Sequence, residues 1–152
     1  MRLSEQVVQF FHSQNFVIVS TIDSDGSLHS SCKGIVRIGT NGKVYLLDLY
    51  KGKTSENLKQ NPNINITAVD EHKFRGWCLK GKAKIMPEQE FKPGFLADWK
   101  KRITHRITHR LLKNIRGEKG HPRHPEAQFP NPEYLIEIEV REMVDLTPSS
   151  LK

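Results

Sequence analysis

Phe16–Leu49 reads FVIVSTIDSDGSLHSSCKGIVRIGTNGKVYLLDL, and two dipeptides in it, Asp25-Gly26 and Asn41-Gly42, decide how it folds. Each supplies the positive backbone dihedrals of a tight hairpin turn. The runs around them, Phe16–Ile22, Ser27–Ile38 and Lys43–Leu49, are rich in β-branched residues, so the stretch predicts three consecutive antiparallel strands. Upstream, Leu3, Val7, Val8, Phe10 and Phe11 are close to helical spacing after a capping residue, Ser4, and predict a short amphipathic helix over Leu3–His12. Downstream, Thr54–Gln60 predicts a short helix capped by Thr54 and stopped by Asn61-Pro62. Ile64–Val69, Phe74–Met86 and Tyr134–Val144 predict a fourth, fifth and sixth strand, the last with apolar residues alternating at Tyr134, Ile136, Ile138 and Val140. Phe91–Ile115 has helical periodicity, and Gly117–Pro132 is a loop rich in Pro, Gly and His. The expected class is mainly β with short helices: a six-stranded antiparallel barrel, an N-terminal helix, and a helical excursion over about 87–132 before the last strand.

The chain of 152 residues, 36% hydrophobic and 27% charged, has material for a single domain, 1–152. Its apolar runs are far shorter than the roughly 20 residues that span a bilayer, and its start lacks a signal-peptide hydrophobic region. No membrane association and a cytoplasmic location are the resulting expectations. Cys32 and Cys78 form neither a CxxC pair nor a disulfide framework, which leaves them as reduced thiols and gives no zinc-ribbon pattern. The net charge of +7 is unevenly placed. Nine Lys and Arg stand between Lys100 and Pro125 against Glu118 alone, and the rest of the chain is nearly neutral.

Two stretches carry chemistry. In Lys51-Gly-Lys-Thr-Ser-Glu-Asn57-Leu58, two lysines precede a helix start, where unpaired amides and the helix dipole favour an anion, with the Thr54 hydroxyl and Asn57 amide as further donors. Phosphate suits such a corner. A nucleotide-hydrolase P-loop is excluded, because Leu47 stands where its first Gly belongs. The alternative is that Lys51 and Lys53 are solvated loop charges and Thr54 only a cap. In His29-Ser-Ser-Cys-Lys33-Gly34, Ser30, Ser31 and Lys33 interrupt an otherwise apolar strand, and polar groups there want a ligand or water. The alternative for Lys33 is an ordinary surface lysine.

Taken in order, Val19-Ser-Thr-Ile-Asp23, Asp25-Gly26, His29-Ser-Ser-Cys-Lys33, Asn41-Gly-Lys-Val-Tyr45, Gly52-Lys-Thr54, Asn57-Leu58, Asn61-Pro62, Phe74-Arg-Gly76 and Lys80-Gly-Lys-Ala83 resemble the flavin-binding split-barrel family typified by pyridoxamine 5′-phosphate oxidase. The resemblance covers about Phe16–Ile85 closely and Tyr134–Leu146 loosely. It implies a split-barrel homodimer binding FMN at the subunit interface. Carried over residue by residue, it sets Ser30, Ser31, Cys32 and Lys33 along the isoalloxazine ring and ribityl chain, with Lys33 toward the phosphate or ring edge. Asp48 matches a ring-contacting position; Lys53 and Thr54, with Lys51 and Asn57, match the phosphate turn. Arg75 and Trp77 fall near the position from which the partner subunit approaches, Trp77 having barrel packing as its alternative role. The family's C-terminal Trp and Arg residues are missing here: only Arg141 follows Pro132, so the vitamin substrate does not carry over. The expected activity is that of a flavin-dependent oxidoreductase of unknown substrate, with no catalytic residue assigned; the alternative is a flavin or haem carrier without turnover, and a deazaflavin is a further cofactor choice.

His105 and His109 stand at i and i+4, from a duplicated Arg-Ile-Thr-His, and His121 and His124 follow; without an accompanying thiolate or carboxylate motif, no metal site is assigned. The basic segment Lys100–Arg123 fits a solvated helix face, and a nucleic-acid role is disfavoured because only Trp99 offers an aromatic platform near it.

Overall fold

The computed structural model describes residues 1–124 and 131–152. Helix α1 (Glu5–Ser13) leads into strands β1 (Val17–Ile22), β2 (Leu28–Ile38) and β3 (Lys43–Leu47); α2 (Lys53–Gln60), β4 (Asn63–Asp70) and β5 (Arg75–Pro87) follow, then α3 (Phe95–Ile115) and β6 (Tyr134–Asp145). All neighbouring strands run antiparallel and close a barrel in the order β1-β2-β3-β6-β5-β4. The barrel, the N-terminal helix and the helical excursion before the last strand are those expected from the sequence. Gly26 and Gly42 have φ of 85° and 77°, the left-handed backbone that the two hairpin turns require.

Two cores form. The barrel interior joins Val17, Val19, Ile35, Leu46, Ile66, Leu79, Ile136 and Ile138 to Val7, Phe10 and Phe11 of α1 and Leu58 of α2. Ser4 caps α1 as expected, accepting a hydrogen bond from the Val7 amide. The second core lies outside the barrel wall, where Phe95, Trp99 and Ile103 of α3 cover Val36, Tyr45, Leu47, Met86 and Leu135. β6 is buried on consecutive residues from Tyr134 to Ile138 rather than on alternate ones, because outward Leu135 meets α3 in this layer and Glu137 is held by Lys43 and Lys84.

Three local expectations are corrected. The helix predicted over Phe91–Ile115 begins only at Phe95, after a single 3-10 turn at Glu88–Glu90; Pro93 disfavours helical geometry in the residue before it, and Gly94, at φ 88°, turns the chain. Strand β3 ends at Leu47, not Leu49. Thr54 does not cap α2: the cap residue is Gly52, which has no side chain to offer, and the Thr54 hydroxyl is used elsewhere. The loop predicted over Gly117–Pro132 lies partly outside the described residues.

Phe95 is 1% exposed, sits 4.5 Å from the Tyr45 ring and lies under the Arg37 guanidinium at 4.2 Å. Phe95→Ala is expected to cost about 3–5 kcal/mol in chemical denaturation. The same truncation at exposed Leu96 is expected to stay within about 0.5 kcal/mol.

Candidate cofactor site

Strand β2 divides the predicted ring-contact residues between its two faces. Lys33 pairs with Val17 and Ser31 with Val19 across the β1–β2 ladder, and because both valines belong to the barrel interior, Ser31 and Lys33 share the inward side. Ser30 and Cys32 point outward and are exposed. Inside, the Lys33 ammonium donates to Asp48 Oδ1 at 2.5 Å, and the Tyr134 hydroxyl donates to Asp48 Oδ2 at 2.6 Å. The Asp48 side chain is fully buried and Lys33 is 11% exposed. A buried carboxylate is tolerable only when both oxygens are satisfied by donors, and here each has one. Burial, reinforced by the hydrogen bond to Asp48 and its negative charge, raises the Tyr134 pKa strongly, so the phenol stays a donor.

The turn into α2 forms the second part of the site. Thr54 Oγ1 and Ser31 Oγ lie 2.9 Å apart, tying the helix start to β2. The buried Asn57 amide donates to Thr21 Oγ1 at 3.0 Å and to Asp23 Oδ1 at 2.6 Å. Both of its protons are thereby used, so Asn57 anchors α2 to the β1 hairpin. The first-turn amides of a helix have no intrahelical acceptor, and Gly52 caps them with no side chain. Chain neighbours aside, a Cβ at Gly52 would meet only the Tyr50 carbonyl at 3.8 Å. This open cradle, with exposed Lys53 beside it, presents amides and an ammonium. That donor set suits a phosphate. Lys51 pairs with Glu133 at 2.6 Å, both largely exposed; the hydrogen bond from Lys51 and its charge hold the Glu133 carboxyl below its usual range.

A cleft runs from the Lys33–Asp48 pair toward Lys51, the residue before Gly52. One section, about 340 Å³, is lined by Phe16, Cys32, Lys33, Gly34, Leu47 and Asp48, and is roofed by Arg106, His109, Arg110 and Lys113 of α3. An adjoining section of about 620 Å³ shares Asp48, Leu49 and Tyr50 and extends to Lys51, Glu133 and Tyr134. Arg106 is buried, and its Nη1 lies 2.9 Å from the position a Cβ would take on Gly34; the missing side chain lets the guanidinium lie against β2.

Of the sequence-predicted residues, the fold therefore gathers Cys32, Lys33 and Asp48 along the cleft, extends it to Lys51, and sets Ser31, Lys53 and Thr54 at the helix turn. Ser30 bonds Ser20 on the outer sheet face. Trp77 packs in the barrel core, edge-on to Phe10 at 4.6 Å, away from the cleft lining. Among the described residues no group of three or more His, Cys, Asp or Glu is disposed to hold a metal: His109 and His124 line the cleft, while the His121 ring accepts a bond from the Arg123 amide. Tyr134 and the α3 arginines were not singled out from sequence. A tyrosine opening an alternating strand reads as core, although a buried hydroxyl needs a partner. The four-residue spacing of Arg102, Arg106 and Arg110, beside the stripe of Ile103 and Ile107, carried the signal for one basic helix face.

Asp48→Asn removes the counter-charge of a buried ammonium and is expected to cost about 3–5 kcal/mol, partly recovered by Lys33→Met with Asp48→Leu. The raised Tyr134 pKa also predicts alkaline sensitivity. Above about pH 10 the unfolded phenol ionises while the folded one keeps its proton, so stability falls as pH rises. The stability difference between the wild type and Tyr134→Phe is expected to shrink above that pH in denaturant titrations.

The pyridoxamine 5′-phosphate oxidase family model matches residues 3–143. HupZ of Group A Streptococcus has 18% identity and a TM-score of 0.64, with 95% of this chain and 94% of that chain covered. An F420 reductase has 15% identity, a TM-score of 0.61 and coverage of 93% and 98%. A Clostridium acetobutylicum protein related to general stress protein 26 has 15% identity, a TM-score of 0.59 and coverage of 99% and 100%. Among curated protein sequences none matches. The solved structures show the shared fold, and the family match spans nearly the whole chain: this protein belongs to the pyridoxamine 5′-phosphate oxidase family.

Proposed function

We propose that the protein binds FMN and acts as a flavin-dependent oxidoreductase. The observation that carries this reading is the open cradle at Gly52, whose donors suit an anion, next to the end of a cleft that runs past Lys51 to Asp48, Lys33 and Cys32. The phosphate belongs at the amides of the α2 turn with Lys53, on a helix start that Thr54 ties to β2, and the ring in the cleft. When bound, the flavin supplies the redox chemistry. The chain's own part is to hold and tune it. Asp48 keeps Lys33 in place as a fixed positive charge beside the ring, and such a charge favours the reduced, anionic form. Arg106, Arg110 and Lys113 over the same cleft favour a co-reactant that carries negative charge.

A homodimer is part of the proposal. Phe16, Ile18 and Val69 are 60%, 44% and 58% exposed, and Ile18 neighbours Cys32 and Thr67 across the ladders. An open sheet face with this much apolar surface suits a partner sheet, and it would bring a second subunit to the edge of the cleft at Phe16 and Cys32. The carrier reading keeps one specific observation in its favour: His109 and His124 both line the cleft, where imidazole can ligate haem iron.

The absorbance spectrum separates the two. Purified or FMN-soaked protein is expected to be yellow with quenched flavin fluorescence, and Lys53→Ala with Thr54→Ala is expected to weaken FMN at least tenfold, Lys53→Ala alone by less. A Soret band with no flavin uptake would favour the haem carrier. Reduction of the bound flavin by a nicotinamide cofactor identifies an enzyme, and sedimentation is expected to show a dimer that Ile18→Glu dissociates.

A further inference from the structure

A second cleft, about 570 Å³, lies between the end of α1, the outer face of β2 and the first half of α3. Its volume is within the range of small-molecule sites. Among the described residues that line it, the fixed cations are Arg37, Lys101, Arg102 and Arg106, and the fixed anion is Asp98. Arg37 Nε bonds Asp98 Oδ2 at 2.6 Å, so that carboxylate is already engaged. Arg102 is anchored: its guanidinium donates to the backbone carbonyls of His12 and Gln14, each at 3.3 Å, where α1 ends. Folding thus brings like charges together around a concavity and holds at least one of them rigidly. The imidazole of His12 registers the result. Burial and then Arg102 lower its pKa, with Lys101 adding to the effect and Asp98 opposing it.

We propose that this cleft binds a small molecule bearing two or more phosphate or carboxylate groups, at a site separate from the one assigned to the flavin. Several cations around one hollow suit a multiply charged anion better than a single carboxylate, and arginine forks match phosphate and carboxylate oxygens in pairs. His105 lines the same cleft and adds a donor. Arg106 lines both clefts, but the second site owes nothing to the α2 turn, so changes at Lys53 and Thr54 separate it from FMN binding.

Calorimetry with inorganic pyrophosphate at fixed pH and ionic strength, on protein saturated with FMN and on Lys53→Ala/Thr54→Ala protein, tests the site. The expected result is saturable one-site binding in both, at least tenfold tighter than orthophosphate. It should weaken at least tenfold in Arg102→Gln and clearly in Lys101→Gln/His105→Gln, whose exposed side chains can be changed without disturbing either core. In a parallel NMR titration, benzene-1,3-disulfonate, whose charge is constant across the pH range, is expected to raise the His12 pKa while leaving unmoved the control His72, which is exposed in the turn between β4 and β5. The proposal is overturned if pyrophosphate binding disappears in the Lys53/Thr54 variant, if the Lys101/His105 variant binds as the wild type does, or if His12 and His72 shift alike.

Discussion

The Asp48 carboxylate is the constraint on which the site depends. It is buried where β3 ends and takes one hydrogen bond from Lys33 on β2 and one from Tyr134 at the start of β6, so three adjacent strands of the barrel meet on one charge. Neither donor is dispensable, because a buried carboxylate left half-satisfied costs more than the interaction is worth when complete. The result is a lysine inside a barrel wall that is fixed in place and still reaches the cleft. A flexible surface lysine would supply the same charge without a defined position.

Around this triad, α3 does what no strand can. Its apolar stripe covers β3, β5 and β6 through the second core, and the arginines beside that stripe are carried against the outer face of β2. Arg106 lines both clefts, and Gly34 makes room for it. The basic segment is therefore more than a solvated face: part of it is buried and part roofs concave surfaces. Helix α2 contributes by the opposite economy. Its start has no capping side chain and stays open, while Asn57 and Thr54 spend their polar atoms on fastening it to β1 and β2.

Sequence by itself determined the elements and their order. The hairpins at Asp25-Gly26 and Asn41-Gly42, the strand alternation and the Ser4 cap are local consequences of backbone preference and spacing, and the α2 turn stood out as a candidate anion site because helix starts and lysines attract anions wherever they occur. Tertiary structure alone decided which polar residues satisfy one another. That Ser31 faces Thr54, that Asn57 turns inward to Thr21 and Asp23, that Lys33 and Tyr134 meet on Asp48, and that Trp77 packs against Phe10 depend on contacts between residues far apart in the chain. Periodicity reports which face of an element is buried but not against what. For the same reason the basic helix read as a solvated surface until the fold laid it over a barrel strand and a helix end.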